Sequence, residues 1–345
     1  RNHFLKRWGV HVAREDFLVL LHALDEQETI SAIVPEPGLG YQERMDVERI
    51  VGNAVALRAL TGLDRGEFDR LVARLDEALR HATRRNWRGE PRQRARGAGP
   101  KSCLPTTAHK LFFLLFYYKV YPIQHAMAAL FGVAQSGVCE WLHYLTPLVQ
   151  NALGRALVRP ARRAKALEEV LREHPHLVGM LDGTERPVRR PTDPDAQRRH
   201  YSGKKKRHTR KNLVVSAARR VLYLGGTAAG AQHDKSLADQ ARLRWPPGTR
   251  LVADSGFAGY TATGAGLLRP FKKRRGQTLE PFFRQWNRQL ARLRVGVEHV
   301  LAGVKRCRIV ADTLRNWRAG FADAAMEIAC GLHNLREDVR RPGLA

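Results

Sequence analysis

Apolar residues recur at helical spacing through the first half of the chain and give way to strand-like runs in the second. Within residues 60–83, Phe68, Leu71, Val72, Leu75 and Leu79 fall three or four apart and predict an amphipathic helix. A strongly apolar helix follows over 107–119. The Tyr121-Pro122 step closes it, because the residue before a proline is pushed out of the helical region. In 122–145, Ile123, Ala126, Met127, Leu130 and Phe131 share one face, Gly132 interrupts, and Val138, Trp141, Leu142 and Leu145 form a second face. A basic, proline-containing stretch at 155–165 leads to another helix at 166–173. Past Pro175 the period shortens. HLVGMLD (176–182) reads as a buried strand, and NLVVSAA (212–218) with VLYLGGTAA (221–229) as a strand pair around Arg219-Arg220. TRLVADSGF (249–257) reads as a further strand and 267–272 as a fifth. Helices over 279–304 and 317–336 complete the pattern, and there is no internal repeat. An α/β unit preceded by an all-helical segment is expected. Residues 84–103, rich in Arg, Gly and Pro, read as a linker.

Charge changes this picture most. Sixty Lys and Arg against 33 Asp and Glu give a net charge of +27, which disfavours an acidic scaffold or an enzyme of small acidic metabolites. It points to a polyanion, most simply nucleic acid, with a basic ribosomal or membrane-surface protein as the alternative. The charge is uneven. Residues 1–55 hold 6 Lys/Arg and 9 Asp/Glu, so this first segment is compositionally foreign to the rest and reads as an extension. The four cysteines lie far apart with no CxxC pair, which excludes a zinc ribbon or a disulfide scaffold and suggests a reducing compartment. The longest apolar run, Leu111–Tyr118, is too short to cross a bilayer. No secretory signal is read, although the chain begins with Arg. A cytoplasmic protein without a membrane partner is expected.

Two apolar faces joined by a tight Gly-containing turn make a helix-turn-helix pattern at 122–146. Its second helix would turn Gln135, Ser136, Cys139, Glu140 and His143 outward to a DNA major groove, with Ser136 helping to cap it. Glu140 would repel phosphate but could accept from a cytosine amino group. An ordinary helical hairpin in a core has the same spacing.

Three carboxylates stand out further on. Asp182 ends HLVGMLD before Gly183-Thr184, and Asp254 ends TRLVAD before Ser255-Gly256. Acids at strand ends in an α/β sheet can share divalent cations through hard oxygen ligands. Glu298 is the candidate third acid, from a packed helix. Arg294, Glu298 and Lys305 share one helical face there, with Leu290, Leu293, Val297, Val300 and Leu301 as its apolar flank. Such a set suits in-line phosphoryl displacement, with Arg294 and Lys305 neutralising the phosphodiester. Each acid also has an ordinary reading: a strand-end Asp before Gly as a turn-former, a Glu four after an Arg as a surface ion pair.

DGTERPVRRPTDPDAQRRHYSGKKKRHTRKNLVVS (182–216) resembles the signature region of DDE-type transposases of bacterial insertion sequences, in particular the IS-five group with its Harbinger-like relatives. VADSGFAGY (252–260) resembles the family's second-acid block and RLRVGVEHVLAGVKRCRIV (292–310) its third, with R-x3-E-x6-K. The resemblance covers roughly 57–337. It implies a ribonuclease-H-like catalytic domain, a mixed sheet flanked by helices, behind the helical module. The expected organisation is an extension at 1–55, a helical DNA-binding domain at 56–150, a linker helix at 151–174 and the catalytic domain at 175–337. It also implies Mg2+- or Mn2+-dependent strand cleavage and strand transfer, with Asp182, Asp254 and Glu298 as metal ligands. The related signature with a Tyr three residues before the Arg is not met, since position 291 is Ala.

The basic run YSGKKKRHTRKN (201–212) is read as gripping phosphate through Lys204, Lys205, Lys206, Arg207 and Lys211. It is not a phosphate-binding nucleotide loop, because the second Gly and the Lys-Ser/Thr pair are absent. His233-Asp234 precedes a helix; Asp234 near the metals is possible, but a helix cap is preferred. His208 and His299 are read as structural or DNA-facing, and Trp286 and Trp317 as core. The expected partners are double-stranded DNA, as terminal inverted repeats and target site, and further copies of the chain. A non-catalytic DNA-binding relative and a stand-alone nuclease are the alternatives.

Overall fold

The computed structural model of the 345-residue chain describes residues 44–82, 103–273, 276 and 278–340. The expected linker at 84–103, save Cys103, and most of the expected extension lie outside these residues. Helices α1 (Val47–Gly52) and α2 (Ala54–Thr61) do not behave as part of a foreign extension. Ile50, Ala56 and Leu57 are fully buried in the main core. The acidic composition of this segment is misleading, because net charge says nothing of an apolar stripe such as Val47, Ile50, Ala56 and Leu57.

α3 (Arg65–Ala82) begins at a reciprocal cap: the Glu67 amide donates to Asp64 Oδ1 and the Asp64 amide to Glu67 Oε2, both at 2.9 Å. Phe68, Leu71, Leu75 and Leu79 are buried along its inner face, as their spacing requires. α4 (Thr107–Val120) is capped by Thr106 and is surrounded, with every side chain from Leu111 to Tyr118 buried. α5 (Gln124–Phe131) stops at Gly132, whose φ of 64° is the left-handed conformation that ends the helix. α6 (Gln135–Arg155) is much longer than the motif suggested. Val149, Ala152 and Leu153 continue its buried face beyond Pro147. Its N-cap is Ala134 and no side chain caps it, so Ser136 lies inside the first turn and does not cap. α7 (Ala164–Glu173) follows.

The second half holds β1 (Val178–Pro187), α8 (Pro194–His200), β2 (Tyr201–Ser202), β3 (Arg207–Ala217), β4 (Arg220–Leu224) and β5 (Ala228–Ala229). Then come α9 (Asp234–Ala241), β6 (Thr249–Ala253), β7 (Ala265–Leu268), α10 (Pro281–Lys305) and α11 (Phe321–Arg340). The sheet runs β2-β3-β1-β6-β7, with β4 and β5 also on β3. β3 is antiparallel to β1 and β4, whereas β6 is parallel to β1 and to β7. It is a mixed sheet flanked by helices.

Alternation along the strands divides the interior in two, since successive side chains point to opposite faces. Val214 joins the helices α1–α6, α10 and α11 in one apolar cluster, while Leu213 and Val215 join α7, α9, Phe257 and Tyr260 in the other. Arg186, 2% exposed, ties the sheet to α11 by donating to Ala322 O, Asn212 Oδ1 and Thr227 Oγ1. Trp317 is 73% exposed and not in the core, because it lies in the turn ahead of α11, whose buried face begins at Phe321. Leu293, expected in the apolar flank, is also exposed, at 47%.

Gly303 of α10 meets the His333 ring of α11, and a Cβ there would collide with it. His333 Nε2 lies 2.8 Å from Arg219 O, a carbonyl that can only accept, so this nitrogen carries a proton. Burial pushes the imidazole down to about 4, against the hydrogen bond, which favours the charged form. The unfolded chain therefore binds this proton first as pH falls. Stability should be intact above about 6.5 and decline toward pH 4, by up to about 3 kcal/mol from this group. Urea midpoints at pH 7 and 4.5 should fall less for His333→Gln than for the unaltered protein.

Candidate active site

Asp182 is not at the end of its strand. β1 runs on through Gly183-Thr184-Glu185-Arg186 to Pro187, paired throughout with β3. What ends there is the pairing with β6, whose last rung is Leu181↔Ala253. The next residues along these parallel neighbours are Asp182, still within β1, and Asp254, just past the end of β6, so the register sets the two acids side by side, within electrostatic reach of each other. Asp254 also caps the short turn Ser255–Phe257 by accepting from the Gly256 amide. The turn-forming reading of Asp254 thus holds, and it leaves the carboxylate beside Asp182 and Arg294.

The electrostatics follow from this packing. Burial pushes the Asp182 carboxyl up to about 6, and the carboxylates of Asp254 and Asp234 push the same way. The Gly183 amide, donating to Asp182 Oδ1 at 2.8 Å, and Arg294 oppose them. Arg294 of α10 stands 3.7 Å from Asp254 Oδ2. Glu298 follows one turn later on the same helix, exposed to solvent. Among the described residues, no three His, Cys, Asp or Glu side chains stand close enough to hold one metal ion. The structure thus brings together Asp182, Asp254 and Arg294 and leaves Glu298 at their margin. Lys305 lies within electrostatic reach of Asp182; burial lowers its pKa, and Lys205 and Arg207 add to that shift.

Lys204, Lys205, Lys206 and Arg207 form the exposed turn entering β3. Lys211 is different. It is 7% exposed, on the pleat facing away from solvent, so it is not a surface phosphate contact. Its ammonium lies 3.3 Å from Glu185 Oε1 and 3.1 Å from Asp234 Oδ1, and donates to Gln232 O at 3.0 Å. Asp234 is the residue that sequence reasoning set aside. The N-cap of α9 is His233, no side chain caps the helix, and the Asp234 carboxylate turns to Lys211 instead. The available signal was Lys211 itself: a lysine inside a buried strand requires carboxylate partners.

On α6, Gln135, Ser136 and Glu140 are exposed or nearly so. Cys139 and His143 are only partly so: the His143 ring packs against Phe321 at 6.0 Å, and Cys139 Sγ lies 3.7 Å from His143 Nδ1. The five positions share one helical face by spacing, but Phe321, at the start of α11, packs against the His143 end of it. His208 stacks edge-on with Tyr201, and Trp286, half-buried, donates to Arg269 O.

The donor chemistry fits a hard divalent cation. Two adjoining carboxylates, one resisting ionisation because it is buried beside acidic neighbours, form a site that a cation would relieve.

Comparison with known proteins agrees. Residues 181–334 match the DDE superfamily endonuclease family. A probable transposase for insertion sequence element IS702 from Microchaete diplosiphon is 26% identical over 248 residues, covering 71% of this chain and 85% of that protein. No solved structure matches the chain. The mixed sheet with helices around it suits a DDE nuclease domain, and no described helix is long and apolar enough to cross a membrane. Residues 181–334 thus match a DDE superfamily endonuclease domain, and most of the chain is similar to a transposase of an insertion sequence.

Proposed function

We propose that the protein cuts DNA at the ends of a mobile element and joins the freed ends to target DNA, with Asp182, Asp254 and Glu298 holding Mg2+ or Mn2+. The observation that carries this is the rung Leu181↔Ala253, which sets Asp182 beside Asp254 under a helix that supplies Arg294. When bound, the cations would supply Lewis-acid activation for displacement at phosphorus. In the first step a water oxygen bonds to phosphorus and the 3′ oxygen leaves; in the second, that 3′ hydroxyl displaces a 3′ oxygen of the target strand. Arg294, beside Asp254, and Lys305 neutralise the phosphodiester, and Lys204–Arg207 hold the backbone that enters the site. Glu298, exposed on α10 one turn after Arg294, would be the third carboxylate to hold the cation.

In this reading α5 and α6 act as the helix-turn-helix that reads terminal inverted repeats, through Gln135, Ser136 and Glu140. The helical region around 56–150, the linker helix and a ribonuclease-H-like unit at 175–337 divide the labour. Joining two ends requires more than one copy, so a homo-oligomer assembles on DNA.

The test is incubation of the purified protein with a duplex carrying the inverted repeats that flank its gene, a target plasmid and Mg2+ or Mn2+. Nicks at the repeat ends and joined products are expected. Nicks without joining would indicate a stand-alone nuclease, and binding without nicks a DNA-binding relative.

A further inference from the structure

We propose that Asp234 is a further carboxylate of the acidic centre, accepting hydrogen bonds from the waters of a divalent cation at Asp182 and Asp254, with Lys211 as its fixed counter-charge. This role rests on the cation-binding reading above.

The first observation is a cradle made by two glycines. Gly183 follows Asp182 and Gly256 follows Asp254 by two residues. Neither has positive φ, so the backbone does not require glycine at either place. Both are needed because the Asp234 carboxylate lies against them. A Cβ on Gly183 would collide with Asp234 Oδ1 and lie 2.9 Å from its Cγ. A Cβ on Gly256 would fall 2.9 Å from Asp234 Oδ2 and 2.8 Å from Asp254 Oδ1. Asp234 is thus wedged between the backbones that carry the two site aspartates, and it shares the space over Gly256 with one of them.

The second observation concerns one of its oxygens, Oδ1. Asp234 Oδ1 is buried and takes no hydrogen bond, its contact with the Lys211 ammonium being an ion pair only. Asp234 caps no helix. Lys211 already has Glu185 at 3.3 Å and the Gln232 carbonyl, so neutralising it does not call for a second acid. A half-buried carboxylate with one oxygen shut off from water, surplus to its neighbour's charge, is costly unless something cationic completes it. The described carboxylates are too far apart for three to ligate one ion directly, whereas a small cation that keeps several waters can be reached across that gap. A carboxylate on those waters orients them and tightens binding.

The experiment is Mn2+ titration of the full chain by calorimetry, with no DNA present and cleavage not read. Asp234→Asn, which keeps the side-chain shape, should weaken Mn2+ binding by about 10- to 100-fold, the range for removing a hydrogen-bond partner of a metal site. Gly183→Ala leaves every charge in place and displaces only Asp234, so it should weaken binding similarly even if Asp234→Asn does not fold. Circular dichroism establishes that each variant is folded. If the unaltered protein takes up Mn2+, Asp254→Asn weakens uptake, and folded Asp234→Asn binds like the unaltered protein, the role of Asp234 alone is overturned. Absence of Mn2+ uptake by the unaltered protein would overturn the acidic centre as well.

Discussion

Asp254→Asn is expected to lower strand cleavage by about a thousandfold or more while leaving affinity for element-end DNA within about twofold. The substitution removes one negative charge beside Asp182 and retains the shape of the side chain, so the turn at Ser255–Phe257 keeps its oxygen acceptor for the Gly256 amide. Loss of a cation-holding oxygen at a phosphoryl-transfer centre removes several kcal/mol of transition-state stabilisation, at about 1.4 kcal/mol per decade of rate. Arg294 loses its partner and becomes a freer cation, which favours DNA binding. Single-turnover cleavage and gel-shift titration on the same duplex separate the two effects. Cleavage within tenfold of the unaltered protein would remove Asp254 from the chemistry. Asp182→Asn should behave alike.

The second large effect concerns the exposed turn at the entry to β3. Replacing Lys204, Lys205, Lys206 and Arg207 together with Ala should weaken DNA binding by about two orders of magnitude at low salt. The plot of log affinity against log salt should become shallower by about 3 to 4, because each phosphate that the protein no longer neutralises keeps roughly one counterion. The weakening should be nearly the same for element-end and unrelated duplexes, since binding to the backbone carries little sequence information. The four side chains are exposed and outside the core, so thermal stability should hardly change. An unaltered salt slope would make this turn a solvated loop. Lys211→Ala would be a different experiment, because it opens a buried charge network instead of thinning a basic surface.

Where apolar periodicity is continuous, the chain is legible: α3, α4, α10, α11 and the core strands follow from spacing alone. It is less legible where polar residues are buried by pairing. Glu185 and Arg186 look like residues beyond the end of a strand, yet they lie opposite Lys211 and Arg210 in β3, where cross-strand ion pairs and hydrogen bonds satisfy them. That is why spacing alone ends β1 at Asp182. The neighbouring pair Asp182 and Asp254 is visible because both follow apolar runs. Asp234 is not, because its significance lies in Gly183 and Gly256, and close approach of a side chain to a glycine leaves no periodic trace. The Arg-rich face of α10 marks Arg294 and Lys305, but the exposure of Glu298 depends on how that helix lies on the sheet.

The apolar cluster that runs from α1–α6 through Val214, Val221 and Leu224 to α10 and α11 has an evolutionary consequence. Modular nucleases gain new targets by trading a recognition cassette across a flexible hinge. Among the described residues the two halves share one interior with no such seam, so any graft would have to match a foreign surface of buried leucines and phenylalanines. On the recognition role proposed for α6, new DNA sequences would be reached through single replacements on its outer side, where nothing inside has to move.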